Sequence, residues 1–115
     1  MSGLEAVLQQ ITDSFEAKDA DAFAAHLLPE FSWVNPDGSI FCANKEEFMA
    51  LVLKYWSENP SLKSELSAPL ISGNFATQSE TASGFEDGHE EKYLWVYEFN
   101  TDHKLVKQWG FMPNA

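Results

Sequence analysis

The fold turns on Glu86–Phe111, EDGHEEKYLWVYEFNTDHKLVKQWGF. Tyr93, Trp95, Tyr97 and Phe99 fall on one parity, and Leu94 and Val96 on the other. That period of two is the signature of a strand. Asp87-Gly88 suits a type I′ turn, so Glu86 is expected to pair with His89. Counting back from that pair sets Gly84 opposite Glu91, Ala82 opposite Tyr93, Glu80 opposite Trp95 and Gln78 opposite Tyr97. A second turn at Thr101-Asp102, pairing Asn100 with His103, sets Tyr97 opposite Val106, Trp95 opposite Gln108 and Tyr93 opposite Gly110. A loop one residue longer would turn the last strand over.

Working outward, one face of this sheet carries Tyr93, Trp95, Tyr97 and Phe99 with Ala82, Gly84, Gly110, Gln78, Glu80 and Gln108. The other carries Leu94, Val96, Leu105, Trp109 and Phe111. Aromatic side chains on both faces mean that neither simply meets water. One face is expected to meet the helices, and the other a second copy of the chain in a homodimer.

Upstream, the period changes. Leu4, Val7, Leu8, Ile11 and Phe15 form a helical stripe. Asp19 or Asp21 caps a second, shorter helix carrying Phe23 and Leu27, which Pro29 is expected to stop. Phe31 to Asn35 and the run SIFCA read as short strands around a Pro-Asp-Gly turn. Asn44 and Glu47 make a capping box for a third helix with Phe48, Leu51, Val52, Tyr55 and Trp56 on one face, ending before Asn59-Pro60. Strands are predicted near 62–72, 74–86, 89–100 and 104–112. Helices first and an antiparallel meander last is an α+β arrangement, with the helices packed on one face of a curved sheet. The chain, 1–115, is read as one domain, long enough to bury a core without staples.

Composition narrows the partners. There are 18 acidic residues against 7 basic ones, a formal net charge of −11, and every basic residue is a lysine. Nucleic acid and anionic membrane surfaces are repelled by such a chain. Bidentate recognition of phosphate or carboxylate normally recruits arginine. A neutral, apolar or cationic small molecule is the expected ligand. Cys42 stands alone, which makes the reducing cytoplasm the simplest compartment. The N-terminal residues have neither the basic region nor the apolar core of a signal peptide or anchor. No zinc spacing, Gly-rich phosphate loop or serine-nucleophile elbow is present, so no metal or cofactor is expected.

The motifs FEAKDADAFAAHL, WVNPDG, the capped third helix and YEFNTDHKLVKQW stand in an order and spacing that resemble the nuclear-transport-factor-2-like superfamily. Its smaller enzymes include ketosteroid isomerase and the SnoaL-like polyketide cyclases. The resemblance implies a cone-shaped sheet wrapped around about three helices, with an internal pocket, and a dimer formed through the sheet's outer face. It also matches Asn35 to the isomerase's aspartate base, Phe15 to its oxyanion-hole tyrosine and Trp95 to its protonated acid. None of the three replacements can do that chemistry.

The candidate site follows. Glu80 and His26 are the candidate acid–base residues, because an acid enclosed beside an indole is a recognisable catalytic arrangement. Trp33, Asn35, Tyr55, Gln78, Tyr93, Trp95, Tyr97 and Gln108 are the candidate ligand-binding residues, aromatic walls with a few polar groups. Leu94, Val96, Leu105, Trp109 and Phe111 are the candidate dimer interface. Three functions fit: a non-catalytic small-molecule-binding domain, a cofactor-independent acid–base enzyme using Glu80, His26 or both, and a dimerisation module with a vestigial pocket.

Overall fold

The computed structural model describes residues 3–111. Three helices, α1 (Gly3–Glu16), α2 (Ala20–Ala24) and α3 (Lys45–Glu58), pack on a curved, unclosed sheet. Its strands are β1 (Leu27–Val34), β2 (Ile40–Cys42), β3 (Lys63–Leu66), β4 (Leu70–Ser72), β5 (Phe75–Ser83), β6 (Glu91–Phe99) and β7 (Leu105–Phe111). The order across the sheet is β2-β1-β7-β6-β5-β3, with β4 also on β5. The architecture is the expected α+β one. The sheet is mixed rather than purely antiparallel, because β1 lies parallel to β7. The predicted strand 62–72 is two short strands, separated by residues 67–69, and residue 112 of the predicted last strand lies outside the described residues. No helix among the described residues is long and apolar enough to cross a membrane.

The helices form where the apolar spacing and caps placed them. Leu4 and Leu8 of α1 are buried, and Val7, Ile11 and Phe15 pack against the same core. Asn44 caps α3 by accepting from the Glu47 amide at 2.9 Å, and the Glu47 carboxylate accepts from the Ala43 amide at 2.8 Å. The second helix is capped by Asp19 and ends at Ala24. Leu27 does not extend it, and Pro29 does not stop it. The His26 carbonyl instead accepts from the Leu105 amide at 2.7 Å, which draws the chain into β1 beside β7. Pairing runs Leu27 with Leu105 and then Ser32 with Lys107, and Pro29, with no amide to donate, sits in the irregular stretch between.

Both hairpins differ in register from the simplest reading, by two residues in each case. In the β5–β6 hairpin the Phe85 carbonyl accepts from Gly88, so Glu86 and Asp87 are the turn centre and Gly88 follows with φ +81°. Ala82 is therefore opposite Glu91, Glu80 opposite Tyr93 and Gln78 opposite Trp95. In the β6–β7 hairpin Asn100 pairs with Lys104 across three residues, and His103 takes a left-handed φ of +60°. That extra residue would invert β7. Val106 then bulges between Leu105, opposite Phe99, and Lys107, opposite Glu98, and inverts it back. Tyr97 ends opposite Gln108 and Trp95 opposite Gly110.

A shift of two leaves each side chain on its expected face. Leu105 is the exception. It precedes the bulge, shares the inner face with Phe99 and is buried in the core, so it is no part of the outer surface. Leu94, Val96, Trp109 and Phe111 do share the outer face: Leu94 pairs with Phe111, Val96 pairs with Trp109, and all four remain partly or largely exposed.

Gly110 is where two indoles meet. A Cβ there would lie 2.6 Å from Trp95 Cζ3 and 2.9 Å from Trp33 Nε1, inside any real contact distance. Gly110→Ala is expected to cost about 1–3 kcal/mol through overpacking. Urea denaturation measures it, and an unchanged midpoint would contradict this packing of the two indoles.

Candidate functional site

The inner face of the sheet, α1 and α3 enclose a cavity of about 140 Å³. Ile11, Thr12, Phe15 and Glu16 reach it from α1, and Leu51, Val52 and Tyr55 from α3. The sheet contributes Trp33, Ser64, Leu66, Gln78, Glu80, Glu91, Tyr93, Trp95, Tyr97, Leu105 and Gln108. Alternation explains the choice: Glu80, Gln78, Tyr93, Trp95 and Tyr97 are separated by single residues that point outward.

Trp95 organises the aromatic wall. Its ring stacks on Tyr93 at 4.8 Å and 18°, and meets Trp33 edge-on at 5.2 Å. Its indole N–H donates to Glu80 Oε1 at 2.6 Å. The Ser64 hydroxyl donates to Glu80 Oε2, and the Ser64 amide donates to Glu16 Oε1 at 2.9 Å. Glu80 is thus held by a donor on each oxygen. Glu91 is held similarly, accepting from the Tyr93 hydroxyl at 2.6 Å and contacting His89 Nε2 at 3.0 Å.

Other polar groups in the cavity are not engaged. Gln108 is 6 % exposed and makes no side-chain hydrogen bond among the described residues. The Tyr97 and Tyr55 hydroxyls are likewise unpaired there. Burial, then the charge of Glu80, pushes the Tyr97 phenol well above its ordinary range. Burial and the bonded Glu91 carboxylate do the same to Tyr93, and burial followed by Glu91 raises Tyr55. All three phenols are therefore neutral donors near pH 7. Gln78 differs, since its amide donates to the Ser67 carbonyl at 3.0 Å and ties down the β3–β4 connection.

Of the residues singled out from sequence, Trp33, Tyr55, Gln78, Glu80, Tyr93, Trp95, Tyr97 and Gln108 meet at the cavity. Asn35 and His26 lie outside it. Asn35 builds the β1–β2 turn: its amide N–H donates to the Ser39 carbonyl at 2.8 Å and its Nδ2 to Ser39 Oγ at 3.1 Å. The turn tightens further through Asp37, which accepts from the Ser39 amide at 2.9 Å and its hydroxyl at 2.6 Å. His26 occupies the turn between α2 and β1, and burial followed by the nearby Lys104 charge lowers its pKa. The Cys42 thiol is raised by burial and then by Glu47, which suits packing rather than nucleophilic attack.

Glu16, Ser64 and Glu91 were missed. The α1 signal was available, since Thr12 and Glu16 stand four and eight residues after Leu8, one beyond Ile11 and Phe15. Ser64 needed the register of β3 on β5, where it opposes Ala82. Glu91 was obscured by the two-residue shift, which moved it from Gly84 to Ala82.

The family model of the SnoaL-like domain matches residues 8–108. Among curated proteins none matches this chain. Among solved structures, a cystatin-fold protein from Novosphingobium aromaticivorans is similar at a TM-score of 0.82 and 19% identity, covering 96% of this chain and 98% of that one. IdmH from Streptomyces antibioticus, a proposed polyketide cyclase, gives 0.80 and 13%, covering 98% and 94%. TerC, crystallised with polyporic acid, gives 0.77 and 11%, covering 96% and 92%. At these identities the likeness is one of fold.

The pKa values of His89 and His26 are displaced in opposite directions. His89 lies between Glu91 and Asp87, and hydrogen bonds to those carboxylates raise it above the ordinary 6.5. Its contribution to stability is complete below 6.5 and is lost as pH rises through the folded-state value. His26 is lowered, so its contribution is present above 6.5 and is lost as pH falls through its folded-state value. NMR titration of the imidazoles should place His89 above 6.5 and His26 below it. Asp87→Asn with Glu91→Gln should return His89 to the ordinary value. The reverse order would refute the arrangement at the hairpin tip.

Proposed function

The chain belongs to the SnoaL-like domain family, and from that premise we propose that it binds a small, ring-containing molecule of low polarity. The observation that carries this reading is Gln108, a residue only 6 % exposed that lines the aromatic-walled cavity and whose side-chain amide has no protein partner among the described residues. Buried amides are normally satisfied by protein or solvent, and one left open toward a cavity suits a ligand. Trp33, Trp95 and Tyr93 supply flat apolar walls, and the Tyr97 hydroxyl a second hydrogen bond. A cavity of about 140 Å³ suits one or two rings rather than a long chain. TerC, which shares the fold, was crystallised with polyporic acid.

A second reading is a cofactor-independent acid–base enzyme of the kind proposed for IdmH. Glu80 favours it, a carboxylate fixed at the cavity wall by Trp95 and Ser64. It would act without His26, which lies elsewhere, and without an isomerase-type oxyanion site. Phe15 has no donor, and the Trp95 N–H is engaged by Glu80. In either reading two copies pair through Leu94, Val96, Trp109 and Phe111, whose outer face is partly exposed and apolar. A dimerisation module with an idle pocket would need the same face but no ligand.

Titration of 1-naphthol, followed by tryptophan fluorescence and calorimetry, tests the binding reading. Saturable binding is expected, and Gln108→Leu should weaken it about ten-fold, in line with the loss of about 1.4 kcal/mol from one hydrogen bond. No heat and no fluorescence change up to millimolar 1-naphthol would overturn it. Native mass spectrometry should show a dimer, and a monomer would remove the role assigned to the outer face.

A further inference from the structure

Among the described residues, the charged side chains lining the cavity are Glu16, Glu80 and Glu91, and no lysine or histidine lines it. They cluster at one end. Ser64 joins Glu16 to Glu80, Glu80 stands opposite Tyr93, and Tyr93 donates to Glu91. Gln108 and Tyr97 lie farther along β6 and β7, opposite one another. The cavity therefore has an acidic end and, deeper in, an unpaired amide.

Carboxylates are acceptors only. The protein already supplies the Glu80 oxygens with neutral donors, an indole and a hydroxyl, and each oxygen retains a further lone pair. What the lining lacks, among the described residues, is a positive charge. Glu91 has His89 Nε2 beside it at 3.0 Å, whereas Glu80 meets only neutral donors, and a mobile cation that enters the site would pair with it. Trp95 and Tyr93, stacked on one another, put aromatic surface next to the acids, and a cation at the carboxylates would lie close to both rings. A net charge of −11 attracts cations from a distance and repels anions.

We infer that the cavity's ligand is a small aromatic amine. Its ammonium group binds at Glu80 and Glu91, its ring lies against Trp95 and Tyr93, and a hydroxyl or carbonyl at the far end meets Gln108. This rests on the binding reading above and narrows it to one charge.

Three probes of one shape test the charge. Tyramine, tyrosol and 4-hydroxyphenylacetate share a phenol on a two-carbon arm and end in an ammonium, a hydroxyl and a carboxylate respectively. Calorimetry at pH 7 should find tyramine at least about ten-fold tighter than tyrosol, and no saturable binding of 4-hydroxyphenylacetate. Glu80→Gln and Glu91→Gln, each checked by thermal melting, should each cut the tyramine-to-tyrosol preference several-fold. Gln preserves an acceptor for Trp95 or Tyr93, and either variant alone suffices if the other fails to fold. Tyrosol binding as tightly as tyramine would overturn the inference and leave the binding reading standing. A preference that persists in both variants would overturn it as well, as would 1-naphthol binding with all three probes silent. Silence of 1-naphthol and all three probes would remove the binding reading and this inference together.

Discussion

The indole of Trp95 is the contact on which the rest of the site depends. It rests on Gly110, meets Trp33 edge-on, stacks on Tyr93 and donates its N–H to Glu80. Four strands are tied together by that one ring: β1, β5, β6 and β7. The absence of a side chain at Gly110 lets β7 approach β6 beneath two large rings. The same absence leaves room for Trp33 to reach the cavity from a strand that arrives in parallel. An interior is close-packed, so such a cluster has few alternative arrangements.

Polar order is built on that apolar frame. The Glu80 carboxylate would be free to turn toward water if only one oxygen were bonded. With Trp95 on one side and Ser64 on the other, it is held at the wall. The Ser64 amide also donates to Glu16, so the last turn of α1, the edge strand β3 and its neighbour β5 share one hydrogen-bonded corner. A second corner ties the hairpin tip down. Gly84, with φ +85°, passes so close to Ser61 that a Cβ would lie 2.0 Å from its carbonyl oxygen, and Asn59 accepts from the Glu86 amide at 3.1 Å. Phe85, at that tip, lines the cavity and stacks on His89 at 4.2 Å. The acids and the cover over them are therefore positioned by backbone close approach as much as by side-chain chemistry.

The positions in the sheet were readable because the side-chain period of a strand is two. A turn centred one residue earlier than expected at β5–β6 shifted the pairing by two residues and changed neighbours without changing faces. At the β6–β7 turn an added loop residue and the Val106 bulge compensated one another. Trp95, Glu80 and Gln108 therefore belonged to the cavity under either register, while Leu105, lying between the turn and the bulge, did not keep its expected face. Asn35 shows the opposite failure. Its parity matched Phe31 and Trp33, yet it lies past the irregularity after Trp33 and serves a turn with Ser39.

By itself the sequence determined the kinds of element and the faces they show. Helical spacing and the Asn44–Glu47 box placed α1 and α3, and alternation sorted Tyr93, Trp95 and Tyr97 from Leu94 and Val96. These depend on neighbours within a turn or on the pleat, both local in the chain. Tertiary structure decided what local order cannot reach. It recruited Leu27 and Pro29 into a parallel strand, because the His26 carbonyl found the Leu105 amide across the fold. It brought Glu16, Ser64 and Glu80, from three separate elements, into one acidic corner. Pairings between residues so distant in sequence carry no local periodicity. They are set by which backbone groups and which ring surfaces can be satisfied together once the helices lie on the sheet.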